Sequence, residues 1–107
     1  MSEVRLPAPV KAVLLSKDGF HHLMFKGERF PGGELPVGAI AFNGGPPVGL
    51  LTCCPCGCGL VAILPFDKWS WDGNAEAPTL SPSILHYDRE SKPHWHGFLQ
   101  AGFWTQA

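Results

Sequence analysis

The sequence predicts a small, mainly β domain, either an antiparallel sandwich or a partly open barrel, with a cysteine-rich turn. The chain has 107 residues, of which 45% are apolar and 16% charged, and this is enough for one modest hydrophobic core. Glycine occurs 13 times and proline 11 times, so turns must be frequent and long helices few. No segment of ten or more residues shows the 3.6-residue periodicity of an amphipathic helix. We therefore expect a single β-rich domain over residues 1–107.

Short apolar runs separated by turn signals give the predicted strands in order along the chain. The first, 10–15, follows a stiff segment with two prolines and reads as a buried strand. A Lys-Asp-Gly turn separates it from a second predicted strand at 20–26, and the stretch 27–36, rich in glycine and proline, is predicted to be a loop. Further strands are expected at 37–42, 48–52, 60–64, 69–71, 79–85, 95–99 and 103–104.

The charge and the apolar runs limit the classes of function. The formal net charge is -1, and neither a basic run nor a basic stripe is visible. We therefore expect no nucleic-acid partner and no binding to an anionic membrane surface. No apolar stretch has the length of a membrane span, and the N-terminus lacks the apolar core of a signal peptide. The expected location is cytoplasmic.

Four cysteines fall within six residues, namely Cys53, Cys54, Cys56 and Cys58. Disulfides between such close neighbours would close tiny loops and carry strain, so metal binding is the favoured interpretation. The last three have two-residue spacing among proline and glycine, which suits the tight turn of a zinc knuckle. A structural zinc needs four ligands, and His94 is the first candidate to complete the set, ahead of His21 and His22. The alternative is a turn of buried, reduced cysteines that act as small apolar side chains.

Two polar pairs occur near the end of the chain. Ser81 and Ser83 are two residues apart across a proline, and His94 and His96 are two apart across a tryptophan. In extended chain such residues share a face, so neighbouring strands could bring a serine to a histidine that takes its proton. The pattern does not separate Ser81 from Ser83, and it is also typical of an edge strand with exposed hydroxyls. Three carboxylates could orient a histidine: Asp72, Asp88 and Glu90.

Four motifs resemble those of a family of small phage and bacterial proteins formerly of unknown function. They are CPCGCG at 54–59, WSWDG at 69–73, PTLSPSI at 78–84 and HGFL at 96–99, the last followed by Gly102. The resemblance covers roughly the second half of the chain. Family relatives in bacterial ubiquitin-like (Bub) conjugation operons resemble serine peptidases with a Ser–His dyad.

The resemblance assigns roles by position. It implies Ser83 as the nucleophile and His96 as the base, with Ser81 and His94 as second choices. It also implies a peptide or the tail of a ubiquitin-like protein as substrate, docked along a strand edge. Relatives often carry a cysteine shortly before the histidine, where this chain has Lys-Pro-His. If that cysteine binds metal in relatives, the site here is either completed by His94 or absent.

Three hypotheses for function follow. The first is a serine peptidase with the dyad and a structural zinc held by Cys54, Cys56, Cys58 and His94. The second is a non-enzymatic, zinc-stabilised β module that binds a phage or host protein. The third is a metal-dependent hydrolase in which His94 and His96 are ligands and Ser83 is structural.

Overall fold

The chain folds into two β-sheets, as a computed structural model describes for residues 5–27, 33–88 and 90–107. The elements are β1 (Val10–Lys11), β2 (Val13–Leu14), α1 (Lys17–Met24), β3 (Ala39–Asn43), β4 (Gly49–Cys53), β5 (Val61–Pro65), β6 (Ser70–Trp71), β7 (Leu80–Tyr87), β8 (Pro93–Gln100) and β9 (Phe103–Gln106). One sheet has the strand order β1-β9-β8-β7-β6 and the other the order β2-β3-β4-β5. Neighbouring strands are antiparallel except β2 and β3, which are parallel. The predicted mainly β class is confirmed.

Two hydrophobic cores explain which strands are buried. The core between the sheets contains Ile40, Leu50, Cys54, Leu64, Leu80, Ile84, Trp95, Leu99 and Trp104. A second core, between α1 and the other face of the four-stranded sheet, contains Phe20, Leu35, Ala39, Ala41, Leu51 and Cys53. Because alternate residues of a strand point to opposite faces, β3 and β4 contribute to both cores, and β4 is buried along its whole length. Among the described residues, no helix is long and apolar enough to cross a membrane.

The strand predicted at 20–26 is wrong, because most of this segment lies in α1. Ser16 caps the helix by accepting the backbone N–H three residues on, at 2.9 Å, and Asp18 lies in the positively polarised first turn. Phe20 and Leu23, three residues apart, both pack in the second core. The Lys-Asp-Gly sequence that suggested a turn is the first turn of the helix. Of the loop predicted at 27–36, residues 28–32 lie outside the described residues.

The run predicted as one buried strand at 10–15 divides between the two sheets. Its first half, β1, pairs with β9, and its second half, β2, pairs with β3. Both strands are sheet edges, and Val13 and Leu14 are 38% and 45% exposed, so the predicted burial is wrong. The other predicted strands agree with observed ones within a few residues.

Gly97 in β8 marks a position where two strands and a side chain leave no room for a Cβ atom. A Cβ atom here would overlap the carbonyl oxygen of Thr105 in β9 and the indole ring of Trp95. We expect Gly97→Ala to lower the free energy of unfolding by about 1–3 kcal/mol or more, because the Thr105 carbonyl and the Trp95 ring are both held in place by the surrounding structure. Urea unfolding would measure the loss. Gly45→Ala is the matched control, since its Cβ would meet nothing within 4 Å, and an equal loss in both variants would contradict this packing argument.

A buried histidine, His86, lies on the strand β7 opposite Trp95 and contributes to the core between the sheets. The ring of His86 contacts the rings of Trp95 and Trp104 edge to face, with centroids 5.9 and 6.1 Å away. Its Nε2 is 3.5 Å from Thr52 Oγ1, and its Nδ1 has no hydrogen-bond partner among the described residues. Burial lowers the pKa of His86 from 6.5 to about 4, because the apolar surroundings disfavour the charged ring.

We expect His86 to make the fold sensitive to acid between about pH 6.5 and pH 4. In this range the unfolded chain binds a proton at His86 and the folded chain does not, so lowering the pH stabilises the unfolded state. The loss begins below pH 6.5 and reaches about 3 kcal/mol near pH 4. Urea unfolding of wild type and His86→Phe at several pH values measures it, because effects of other groups are common to both proteins. Parallel pH profiles for the two would contradict the prediction.

Candidate functional site

Ser83 and His96 lie on the adjacent antiparallel strands β7 and β8. The register places His96 opposite Leu85, so Ser83, two residues before Leu85, shares the face of the sheet that carries His96. Ser83 Oγ and His96 Nε2 are 3.0 Å apart, which is hydrogen-bond distance. Both residues are half-buried. The geometry is therefore suited to proton transfer between the hydroxyl and the imidazole.

The strand that carries Ser83 departs from regular pairing just before it. Leu80 pairs with Leu99 and Ile84 with Gly97, so four residues of β7 span the same distance as two residues of β8. Such a bulge redirects side chains, and here it carries Ser83. The indole Nε1–H of Trp69 donates to the carbonyl oxygen of Ser83 at 3.3 Å. The strand pattern gave no indication of this contact, and the WSWDG motif was the one signal that pointed to Trp69.

The second-choice residues, Ser81 and His94, do not meet. Ser81 is exposed and lies opposite Ser70 of β6, and no hydrogen bond joins it to a histidine in the described part of the chain. His94 Nε2 is instead 3.1 Å from Cys56 Sγ. Of the four possible serine–histidine pairs, the fold brings together Ser83 and His96, and their catalytic roles remain a prediction.

The three carboxylates that could orient a histidine have other partners. Asp72 accepts two backbone N–H groups, at 3.0 and 3.2 Å, in the turns that lead to β7. Asp88 accepts two in the turn between β7 and β8, at 2.8 and 3.0 Å. Glu90 forms an exposed ion pair with Lys92 at 3.7 Å. Within residues 5–27, 33–88 and 90–107, none of the three is hydrogen-bonded to His96, so the arrangement there is a pair and not a triad.

Cys54, Cys56, Cys58 and His94 form a compact cluster. One potential ligand atom from each residue lies within 4.8 Å of all the others. Cys54 Sγ is 3.3 Å from Cys56 Sγ, which is in turn 3.1 Å from His94 Nε2. The three cysteines carry free thiols in the structure. His21 and His22, the weaker candidates for a fourth ligand, lie on α1 and are not members of the cluster.

The donor set fits a metal ion with tetrahedral coordination. Three sulfurs and one imidazole nitrogen are typical ligands of such a site. Zinc–sulfur bonds of about 2.3 Å need sulfurs about 3.7 Å apart, and here two of the sulfurs are 3.3 Å apart and all four ligand atoms lie within 4.8 Å of one another. Burial raises the pKa values of the Cys54 and Cys58 thiols, so both stay protonated until a metal displaces the protons. The backbone N–H of Leu60 also points at Cys58 Sγ, at 3.4 Å. These four residues could hold a metal ion.

The cluster connects the two sheets next to the Ser83–His96 pair. Its cysteines lie in the turn between β4 and β5, which is closed by the hydrogen bond from Cys54 N–H to the carbonyl of Leu60 at 2.8 Å. Its histidine lies near the start of β8, two residues before His96. One strand therefore carries both a member of the cluster and the histidine of the pair.

The comparison with protein families agrees with these features. The model of the family described as bacterial ubiquitination-like system serine protease (BubE) matches residues 37–107, a range that contains Ser83, His96 and the whole Cys–His cluster. Neither a curated protein nor a solved structure matches the chain. Since the family match covers well over half of the chain and confirms the resemblance seen in the motifs, this protein belongs to the bacterial ubiquitination-like system serine protease (BubE) family.

Proposed function

We propose that this protein is a serine peptidase in which Ser83 is the nucleophile and His96 is the general base. The observation that carries the proposal is the distance of 3.0 Å between Ser83 Oγ and His96 Nε2. His96 accepts the hydroxyl proton as Ser83 attacks the scissile carbonyl, and it then returns the proton to the leaving amine. In the second half of the reaction it takes a proton from the water that attacks the acyl group, and it returns this proton to Ser83 Oγ as the acyl bond breaks.

The negative charge that develops on the carbonyl oxygen needs hydrogen-bond donors. Among the described residues, the side chain hydrogen-bonded to the Ser83 hydroxyl is His96, which is already engaged with the proton, and Trp69 donates to the Ser83 carbonyl. Between Leu80 and Ile84, outside the regular ladder with β8, Ser81 and Ser83 carry backbone N–H groups, whereas Pro82 has none. These groups are the donors that we assign to the oxyanion.

The substrate that we propose is a polypeptide, and more narrowly the tail of a ubiquitin-like protein. The family description supports a protein substrate within a ubiquitination-like system. Ser83 also lies on the side of its sheet away from the core, where a flexible chain segment can approach it. A tail in extended conformation is the form of substrate that this sheet surface can accept.

The Cys–His cluster has a structural role in this proposal, with zinc as the metal. Zinc would join the turn after β4 to β8 and so hold the strand on which His96 stands. The cluster includes His94 but not His96, and this division favours a peptidase with a separate structural metal over a metal-dependent hydrolase. When bound, zinc would supply a fixed cross-link and no chemistry at Ser83.

The test is the intact mass of the protein after treatment with a fluorophosphonate, which reacts with activated serines. We expect one adduct on the wild type, none on Ser83→Ala, and a full adduct on the matched control Ser81→Ala, since no hydrogen bond joins Ser81 to a described histidine. Melting temperatures of the three proteins exclude unfolding as the cause of any difference.

Two results would contradict the proposal. An adduct that persists in Ser83→Ala would place the reactive group elsewhere. A wild-type protein that stays unlabelled while a reference serine hydrolase reacts fully would rule out a catalytic Ser83–His96 dyad. The zinc-stabilised module that binds a protein partner would then be the better hypothesis.

A further inference from the structure

The outer edge of β7 is open beside Ser83. The neighbouring strand on this side, β6, pairs only with Leu80 and Ser81. No described strand continues the sheet past that point, although β7 itself extends to Tyr87. The second half of β7 is therefore paired with β8 on one side and unpaired on the other.

The direction of the backbone groups in this part of β7 follows from the hydrogen bond at its end. Asp88 N–H donates to the carbonyl of Lys92 at 2.8 Å, across the turn toward β8. The register shift near this turn, where His86 pairs with Trp95 and Tyr87 with Pro93, places the extra residue in β8, so β7 itself stays regular. Because the N–H and C=O groups of successive strand residues alternate between the two sides, the even-numbered residues of β7 nearest this turn also face β8. Leu85 and Tyr87 consequently direct their N–H and C=O groups to the outer edge.

The pairing of β8 leads to the same assignment independently. The carbonyl of His96 accepts the N–H of Ala107 at 3.2 Å, so His96 turns its backbone groups away from β7. Its neighbours, Trp95 and Gly97, turn theirs toward β7, where they lie opposite the even-numbered residues 86 and 84. The register pair of Leu85 and His96 is thus one in which neither residue hydrogen-bonds to the other strand.

The open edge, defined by Leu85 and Tyr87, offers two N–H and two C=O groups at the repeat of an extended chain. No hydrogen bond to another described residue uses these groups, and Tyr87 is 54% exposed. The edge begins right after Ser83, whose own carbonyl is occupied by Trp69. Residues two apart in a strand are separated by about 7 Å along its axis. A peptide that pairs with Leu85 would therefore reach Ser83 about 7 Å farther along β7.

We propose that the open edge binds the backbone of an extended peptide substrate, which adds a strand to the five-stranded sheet and brings its scissile carbonyl to Ser83. The inference rests on the proposed function and adds where the substrate docks. Donors and acceptors that alternate at a two-residue repeat are complementary to another extended backbone. Recognition at the paired residues would therefore depend on main-chain geometry and tolerate varied side chains.

The test compares two covalent probes with the same reactive group. One is acetyl-alanine diphenyl phosphonate, and the other carries three further alanines on its N-terminal side, which add peptide backbone with only methyl side chains. Ser83 Oγ would attack phosphorus in both, and phenol would leave. We expect the longer probe to label the protein about tenfold faster, as two added hydrogen bonds would provide. The amides of the longer probe can be N-methylated one at a time. Methylation of an amide that pairs with the open edge should abolish the gain in labelling rate, and methylation of any other amide should leave the rate unchanged.

A variant and its matched control test the protein side of the same bonds. Tyr87→Pro removes an N–H that points outward and leaves the ladder with β8 intact, whereas Tyr87→Val changes the side chain and keeps the N–H. The longer probe should lose most of its advantage with Tyr87→Pro and retain it with Tyr87→Val. If the proline variant does not fold, amide exchange in the labelled wild type decides. Leu85 and Tyr87 should gain protection, while Ile84 and His86 are protected before and after.

The outcomes separate this inference from the proposed function. If the fluorophosphonate labels Ser83 but the longer phosphonate is no faster than the shorter one, the open edge does not bind substrate and the peptidase proposal survives. Slow exchange of Leu85 and Tyr87 in the free protein would likewise overturn the inference alone. If no probe of either kind labels the wild type, both proposals fall.

Discussion

Removal of the zinc that we propose for the Cys–His cluster is expected to unfold the protein and to abolish the labelling of Ser83 in the same step. The cluster joins the turn after β4 to the strand that carries His96. A structural zinc site of this kind contributes about 10–16 kcal/mol of apparent binding free energy. A small domain has a net stability of about 5–15 kcal/mol, so it cannot lose such a contribution and remain folded. Far-UV circular dichroism, bound zinc and fluorophosphonate labelling would be followed together as a chelator is added.

Two cysteine variants make the same test without a chelator. Cys56 lies between the sulfur of Cys54 and the imidazole of His94, so Cys56→Ser should lose the metal and the fold. Cys53 is buried in the second core, outside the cluster, and Cys53→Ala should keep one zinc per chain with a moderate loss of stability. The pair distinguishes the role of a ligand from the general cost of replacing a buried cysteine.

The results also separate the hypotheses for the metal. Joint loss of fold and labelling fits a structural zinc. Loss of activity with an unchanged circular dichroism spectrum would contradict that role and favour a metal-dependent hydrolase. A purified protein that is folded and contains no metal would contradict the metal assignment itself and return the cysteines to the role of small apolar residues.

The second half of the fold was predictable because its local signals agree. Strands such as β7 and β8 combine short apolar runs with turn residues on either side, and their two-residue alternation placed each serine and histidine pair on one face. The spacing of the three clustered cysteines was also enough to predict that they lie in one turn. The partner of each histidine could not be predicted from local sequence, since it depends on the register between strands distant in sequence.

The choice between Ser81 and Ser83 shows what register decides. Both lie in the same short polar run, and no local pattern separates them. The bulge between Leu80 and Ile84, which aligns four residues with two, brings Ser83 to His96 and leaves Ser81 exposed beside β6. A bulge is a property of a strand pair, so neither strand predicts it by itself.

In the first half of the chain, the helix α1 was mispredicted as a strand because its local signals are ambiguous. Lys-Asp-Gly is a common turn sequence, and it also suits the first turn of a helix when a capping residue precedes it. Ser16 supplies that cap, and the burial of Phe20 against the four-stranded sheet stabilises the helical conformation. The helix is short, so its periodicity covers too few residues to stand out in the sequence.

A double-mutant cycle should show that Ser83 and His96 act as one unit. We expect Ser83→Ala and His96→Ala each to reduce hydrolysis of p-nitrophenyl acetate to the background rate, a loss of at least about a hundredfold for removal of the base. The double variant should be no slower than either single variant. The reason is the contact of 3.0 Å between the two side chains: the hydroxyl is a weak nucleophile without the base, and the base has no proton to take without the hydroxyl.

The cycle is informative because independent residues would behave differently. If the two losses multiply in the double variant, Ser83 and His96 contribute separately, and the observed hydrogen bond is not part of the reaction. His22→Ala, on the exposed face of α1, controls for the loss of any histidine and should hydrolyse the ester at the wild-type rate. Because His96 is only half-buried and lies on the face of β8 away from the core, its removal should lower the melting temperature little, so the loss of rate reports chemistry and not folding.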